Sequence, residues 1–187
     1  NLFSMIVIKN KKCSIERIKK EYPDAIIIDV TSKATDEFIK LSPFYPHGGI
    51  PIPGDRGCSE SVEGIWQGLK IFENAPYTDH HCFLNKSMKG IKRTTRVNGR
   101  CLGHVYGDYY IDNPTILNYI EARKLIYVPA YKWMLENKCA DLVKKIKMMS
   151  QTKTVVLLDY DTNEDIENSS KPLSHASLIK NYILGNI

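Results

Sequence analysis

Four residues between positions 61 and 70 have the types and the spacing to do chemistry. On a helix turning about 100° per residue, Glu63, Trp66, Gln67 and Lys70 fall in one arc at spacings of three, four and seven. A carboxylate, an aromatic ring, an amide and an ammonium then share one wall. Val62, Ile65, Leu69 and Phe72 occupy another arc, roughly 130° away, and supply an ordinary apolar face for the core. Gly64 and Gly68 interrupt this helix. Each interior glycine costs roughly 1 kcal/mol against alanine and permits a close approach to the backbone. The alternative is a solvent-facing pairing of Glu63 with Gln67 and Lys70, with Trp66 as partial core.

Further candidates lie elsewhere in the chain. Asp159 and Asp161 follow an apolar run directly, and strand ends are where a rigid scaffold presents polar groups to a crevice; the same loop composition also suits a solvated turn. His175 beside Ser174 at a helix start is a candidate acid or binding group, or else a cap-region or core residue. Arg123 is a candidate phosphate ligand, or an exposed arginine paired with a carboxylate. Lys86, Lys89, Lys92, Arg93, Arg96 and Arg100 gather with little opposing charge, and Lys89, Lys92, Arg93 and Arg96 are candidate nucleic-acid contacts; a solvated face is the competing account. The run His80-His81-Cys82 points its ligands in different directions with no second cluster, so no metal is expected. The phosphate-loop, dinucleotide and nucleophile-elbow glycine motifs are not in the sequence.

These groups need elements to hold them. The apolar run at 5–8, a helix capped by Ser14 and stopped by Pro23, and the β-branched run at 25–30 predict a β-α-β opening. Residues 31–59, rich in proline and glycine around Phe44 and Tyr45, read as a long loop rather than sheet. A helix is predicted over 61–72, and Asn113-Pro114 is read as the cap and first turn of another through about Leu125. The recurrence of Leu135, Cys139, Leu142 and Ile146 predicts one long helix over 130–149. A strand at 154–158, an acidic loop at 159–170 and a helix at 174–184 close the chain.

The 187 residues are 43% hydrophobic and 25% charged, values ordinary for a globular domain and unlike a disordered or fibrous chain. A net charge of +5 favours anionic partners without requiring them. Five scattered cysteines with no C-x-x-C pair argue against a secreted disulfide framework. No apolar run approaches the roughly 20 residues that span a bilayer, and no secretory leader is evident, so a cytoplasmic protein with no membrane contact is expected. Residues 1–4 precede a natural-looking start at Met5 and are set aside as an expression remnant, leaving one domain over 5–187.

The run Ser61-Val62-Glu63-Gly64-Ile65-Trp66-Gln67-Gly68-Leu69-Lys70 resembles the NADAR motif, in which a helix carries Glu, an aromatic, Gln and Lys at this spacing. Upstream, Leu41-Ser42-Pro43-Phe44-Tyr45-Pro46 is similar to that family's aromatic segment, usually Leu-Ser-Asn-Phe-Tyr-Pro. The stretch Tyr131-Lys132-Trp133-Met134-Leu135-Glu136-Asn137-Lys138 resembles its methionine-bearing helix. Pro43 replaces the usual asparagine and Gly64 the histidine after the glutamate. Asp159-Tyr160-Asp161-Thr162-Asn163 stands where an Asp-x-x-Trp-Gly ending belongs. These departures suggest a divergent branch. With Asp29-Val30-Thr31-Ser32-Lys33 and Leu173-Ser174-His175-Ala176, the chain also resembles a microbial and phage family without an assigned activity.

The resemblance implies a single α+β domain, a small sheet packed with several helices. It implies an N-glycosidase acting on a ribosyl or ADP-ribosyl conjugate, with ADP-ribosylated or modified nucleic acid as one form of substrate and no cofactor. Cleaving a ribosyl C–N bond passes through an oxocarbenium-like centre, which calls for a carboxylate beneath the sugar and an acid or cation at the departing base. Glu63 and Lys70 are the expected catalytic groups, with Asp159 as a supplement or replacement. Phe44, Tyr45, Trp66, Gln67, Arg123, Asp161 and His175 are the expected substrate contacts. The competing class is a non-catalytic binder of ADP-ribose or nucleic acid, which keeps the aromatic and basic residues and needs no carboxylate at the glycosidic bond.

Overall fold

The computed structural model describes residues 4–54, 57–107 and 114–187. Along the chain run β1 (Ile6–Asn10), α1 (Ile15–Glu21), β2 (Ile26–Asp29), a 3-10 turn (Glu37–Leu41), β3 (Ile50–Pro51), β4 (Cys58–Ser59), α2 (Val62–Gly68) and β5 (Lys70–Phe72). Then come α3 (His80–Leu84), α4 (Thr95–Asn98), β6 (Cys101–Tyr106), β7 (Thr115–Leu117), α5 (Tyr119–Ala122), a π-helical turn (Arg123–Tyr127), α6 (Val128–Lys138), α7 (Ala140–Ser150), β8 (Val155–Asp159) and α8 (His175–Ile183). The fold is α+β, as expected. Its residues fall into two compact units: the chain up to Ser42 together with Leu135–Ile187, and Pro43–Met134.

The first unit is built on a three-stranded parallel sheet in the order β1-β8-β2. The opening β-α-β therefore forms, but its two strands are not neighbours; β8, from the far end of the chain, lies between them. Val155-Val156-Leu157-Leu158-Asp159 is buried throughout, which is why β8 reads as an unbroken apolar run. Val156 and Leu158 pack with Ile18 of α1, joined by Val7, Tyr22 and Ala25. Val155 and Leu157 alternate to the opposite face, and α7 and α8 pack on β8. Ser14 caps α1 by accepting from the Arg17 N–H at 3.2 Å.

One long helix at 130–149 is not what forms. Cys139 leaves helical geometry, with φ −127° and ψ 17°, and separates α6 from α7. Its thiol, pushed up to about 12 by burial, donates to the Lys40 carbonyl at 3.3 Å. Leu135, Cys139, Leu142 and Ile146 are all buried. Their spacing reads through the break because a single non-helical residue shifts the apolar phase too little to disturb it.

The second unit holds the two-stranded antiparallel β3-β4 and the antiparallel sheet β5-β6-β7. Residues 31–59 are thus not all loop: a 3-10 turn capped by Asp36 and this small ribbon both form there. Asn113 lies outside the described residues. Pro114 precedes a strand instead of starting a helix, and the cap is Asn118. Its side chain accepts from the Glu121 N–H at 2.9 Å while the Glu121 carboxylate accepts from the Asn118 N–H at 3.0 Å. This capping box closes both orphan donors and outweighs the Asn-Pro signal. The helix then continues through the π-helical turn into α6.

The predicted 61–72 helix ends early. Ser61 caps α2 through the Gly64 N–H at 2.9 Å, and the last helical residue is Gly68. The Leu69 carbonyl then accepts from the Val105 N–H at 2.9 Å, and Lys70, Ile71 and Phe72 join β6 as β5. Gly64 inside the helix and Gly68 at its end weaken it, and the strand-forming Ile71 and Phe72 find a partner in β6. What approaches the glycines is the protein itself. A Cβ on Gly64 would lie 2.5 Å from the Cys82 carbonyl oxygen, and one on Gly68 would lie 2.3 Å from the Phe83 ring, so α3 packs directly on the α2 backbone. Gly64→Ala should therefore lower the unfolding free energy by about 1–3 kcal/mol despite alanine's better helix propensity. Urea unfolding would show this as a lower midpoint at unchanged slope, whereas an equal or higher midpoint would mean that α3 gives way.

Candidate functional site

The early end of α2 does not scatter its polar wall. Gln67 is 3% exposed and sits at the centre. Its Nε2 donates to Glu63 Oε1 at 2.8 Å, and its Oε1 accepts from Lys70 Nζ at 3.2 Å and from the Arg93 backbone N–H at 3.2 Å. Glu63 and Gln67 are one turn apart on the helix; Lys70 reaches the amide from β5. A carboxylate and an ammonium are thus joined through one buried amide. The N–H of Glu63 donates to the Pro43 carbonyl at 2.8 Å, tying the chain before Phe44 to the first turn of α2. Phe44 and Tyr45 are half-buried, and the Tyr45 ring lies 4.6 Å from that of His47.

Arg93, taken from sequence as a nucleic-acid contact, turns inward instead. Its guanidinium donates to the carbonyls of Gln67 at 3.2 Å, of Tyr77 at 3.0 Å and of Lys70, and it lies 4.9 Å from the Phe72 ring centroid. It clamps the end of α2 to the start of β5. Lys89, Lys92 and Arg96 remain exposed. Burial lowers the Lys70 pKa, Lys92 and Arg93 push the same way, and Glu63 opposes them. The ammonium is therefore a readier proton donor than an exposed lysine.

Trp66 forms the aromatic part of the wall. Its ring meets Tyr119 at 6.0 Å and Tyr127 at 5.5 Å, both edge-on, and lies 4.0 Å from the His104 ring at 37°. Arg123 is 1% exposed, so it is not the exposed arginine that one sequence expectation describes; its guanidinium lies 4.3 Å from the Tyr119 ring centroid and donates to the Tyr119 hydroxyl at 2.9 Å. Tyr119, Arg123 and Tyr127 recur at steps of four, a signal in the sequence that would have marked them as one helical face.

His104 was not singled out from sequence. It sits on β6 directly across from Lys70, 2% exposed, and among the described residues neither ring nitrogen closes a hydrogen bond of full geometry, the Trp66 carbonyl being a weak neighbour. Burial, then the charges of Lys70 and Arg93, hold its pKa down to about 3 against the weaker pull of the Trp66 carbonyl. It is a neutral imidazole at physiological pH. Only strand pairing places it here, and residues 101–106 carry no strong signal of their own.

Asp159, Asp161 and His175 belong to the first unit. Asp159 Oδ2 accepts from Ser174 Oγ at 2.8 Å and from the Ala176 N–H at 3.2 Å, and meets His175 Nδ1 at 3.1 Å; His175 Nε2 donates to the Val30 carbonyl at 2.7 Å. With both ring nitrogens donating, His175 is an imidazolium. The pair pins the start of α8 to the ends of β8 and β2. Asp159 is 3% exposed and occupied by these bonds. Asp161 is exposed, and partial burial of its carboxyl followed by the Asp159 charge raises its pKa.

Two pH dependences follow. Burial would raise the Asp159 pKa, but the His175 charge and the bonds from His175, Ser174 and Ala176 outweigh it and hold it at about 2. Burial would lower that of His175, but Asp159 and the Val30 carbonyl raise it. The pair stabilises fully between roughly pH 4 and 6.5; that stability is lost as pH falls toward 2 and as it rises through the raised His175 pKa. Asp159→Asn should cost on the order of 3–5 kcal/mol in urea unfolding at pH 6 and move the alkaline edge down. An unchanged alkaline edge would count against the pair. For His104 the sign differs: the unfolded ring takes a proton below about pH 6.5 and the folded ring does not until about 3. Stability should fall by a few kcal/mol on the order of pH 6.5 to 3, and His104→Phe should flatten that slope in the same measurement.

No helix among the described residues is long and apolar enough to cross a membrane. Comparison with curated proteins and with solved structures finds no match. One family model does match, over residues 10–179, which takes in Glu63, Gln67, Lys70, Arg93, His104 and Asp159 alike. The chain belongs to that family, described as a family of unknown function, DUF6939.

Proposed function

We propose that the protein is an N-glycosidase that hydrolyses a ribosyl or ADP-ribosyl N-glycosidic bond. The observation that carries the proposal is the hydrogen-bonded chain from Glu63 through Gln67 to Lys70, flanked by the Trp66, Tyr119 and Tyr127 rings. The likeness of residues 61–70 and 41–46 to the NADAR segments supports it, and so does the bond between Glu63 and Pro43, which joins those two segments.

The chemistry follows from the groups. As the bond between the anomeric carbon and the base nitrogen lengthens, positive charge grows on the sugar, and the Glu63 carboxylate stabilises it. The electron pair leaves with the base nitrogen, which takes a proton from the Lys70 ammonium. Water then adds its oxygen to the anomeric carbon and returns a proton to the Lys70 amine. Gln67 sets the separation of the two groups, and Trp66 with Tyr119 and Tyr127 offers stacking surface to the base. Gly64, where the resembled motif has histidine, leaves no room for any side chain, so no group at that position takes part.

The test is product analysis by chromatography with NAD, free nucleosides and an ADP-ribosylated oligonucleotide. The wild type should release free base or ADP-ribose from at least one of them, and Glu63→Gln should be slower by about 100-fold or more. Binding without cleavage by either protein would sink the enzyme in favour of a binding module. Equal turnover by both would remove Glu63 from the chemistry.

A further inference from the structure

The net positive charge of this protein falls in one segment. Residues 76–100 carry six basic side chains against Asp79 alone, a net +5 that equals the formal charge of the whole chain. The remaining residues sum to zero. Within the segment, Arg93 is bonded inward and Arg100 pairs with Glu73 at 3.0 Å. Lys86, Lys89, Lys92 and Arg96 are exposed and make no ion pair among the described residues. The loop that carries the lysines is held in shape: Asn85 Nδ2 and Ser87 Oγ both donate to the Lys89 carbonyl, at 2.8 and 3.0 Å, and buried Ile91 anchors its end.

A cleft of about 330 Å³ opens in this same segment. Lys92 lines it together with Tyr77, Asp79, Asn85, Val97 and Asn98. Tyr77 is 58% exposed and Val97 75%, so the cleft has an aromatic ring and an apolar side chain at its solvent-facing side. Its volume lies at the low end of the roughly 300–1,000 Å³ typical of small-ligand sites. The charges lie differently. Lys86, Lys89 and Arg96 are outside the lining, so most of the cationic surface surrounds the cleft and does not fill it.

We propose that this cleft docks a single-stranded nucleic acid, with one base against Tyr77 and the flanking phosphates on Lys86, Lys89, Lys92 and Arg96. Sequence-tolerant single-strand sites combine these two parts, a cationic track for the backbone and an aromatic platform for a base. A free nucleotide would leave most of the cations unused. A duplex keeps its base faces stacked and cannot offer one to Tyr77. Binding of this kind stands whether or not Glu63 cleaves anything. Where both hold, Arg93 links them: it lines the cleft and its backbone N–H donates to the same Gln67 oxygen as Lys70, so a docked strand lies beside the polar wall.

Fluorescence anisotropy with a labelled oligothymidylate and an oligoadenylate RNA, over a series of salt concentrations, tests this. Four phosphate contacts predict a slope of log affinity against log salt of about −3, and Lys89→Ala with Lys92→Ala should bring it to about −1.4. Tyr77→Ala should weaken binding about five-fold or more at unchanged slope, while Tyr77→Phe keeps it. Anisotropy reads binding without turnover, which separates this result from the fate of the glycosidase. The altered side chains are exposed, and equal thermal midpoints would confirm that the variants fold. No binding at low salt would overturn the proposal. So would equal affinity for duplex with no effect of Tyr77→Ala, or equal displacement by polyglutamate, since either marks a generic polyanion surface.

Discussion

A buried primary amide has two donor hydrogens and an acceptor oxygen to satisfy, and in this protein the amide is Gln67. One Nε2 hydrogen and the Oε1 oxygen join three separate segments: Glu63 on α2, Lys70 on β5, and the backbone at Arg93. An unpaired group at 3% exposure would cost about 1–3 kcal/mol, so these bonds constrain one another. Glu63 meets this amide at its nitrogen and Lys70 at its oxygen, so a carboxylate and an ammonium are joined through one side chain. Arg93 adds a second tie at the same residue by donating to the Gln67 carbonyl.

The glycines in α2 acquire their meaning from that constraint. A seven-residue helix with two glycines has little stability of its own, and tertiary packing must supply it. Packing of α3 onto the bare backbone at Gly64 and Gly68 does so, and Ser61 and the Pro43 carbonyl satisfy N–H groups of the first turn. The helix is therefore short because β6 takes the chain over at Leu69, and α3 covers its backbone. Glu63 and Gln67 project from a platform fixed at both ends.

Buried polar groups are treated in contrasting ways. Asp159 and His175 lie in the interior of the first unit as a charged pair, each with further hydrogen bonds, which is the form in which buried charge is tolerable. Arg93 spreads its charge over three carbonyls, and Arg123 sets its own over an aromatic ring. His104 stays neutral, between Trp66 and the strand of Lys70, with no hydrogen bond of full geometry to its nitrogens among the described residues.

Much of this was legible in the sequence wherever the signal is local. The α+β class, the cap at Ser14, the helix starts near Ser61 and Ser174, the buried run of β8 and the pairing of Glu63 with Gln67 follow from periodicity and short-range hydrogen bonding, which nearby residues decide. What needed the tertiary structure depended on partners far along the chain. Strand β8 enters between β1 and β2; β6 ends α2 at Gly68; α3 occupies the space above the glycines; Cys139 breaks a helix whose apolar spacing runs on unbroken. His104 became visible only through its register opposite Lys70, and Arg93 changed from a surface cation to a clamp because three carbonyls converge on it. Residue types and spacing determined which groups this protein has available for chemistry. Only long-range pairing decided which of them meet, because a hydrogen bond or a ring contact depends on distance in space and not on separation in sequence.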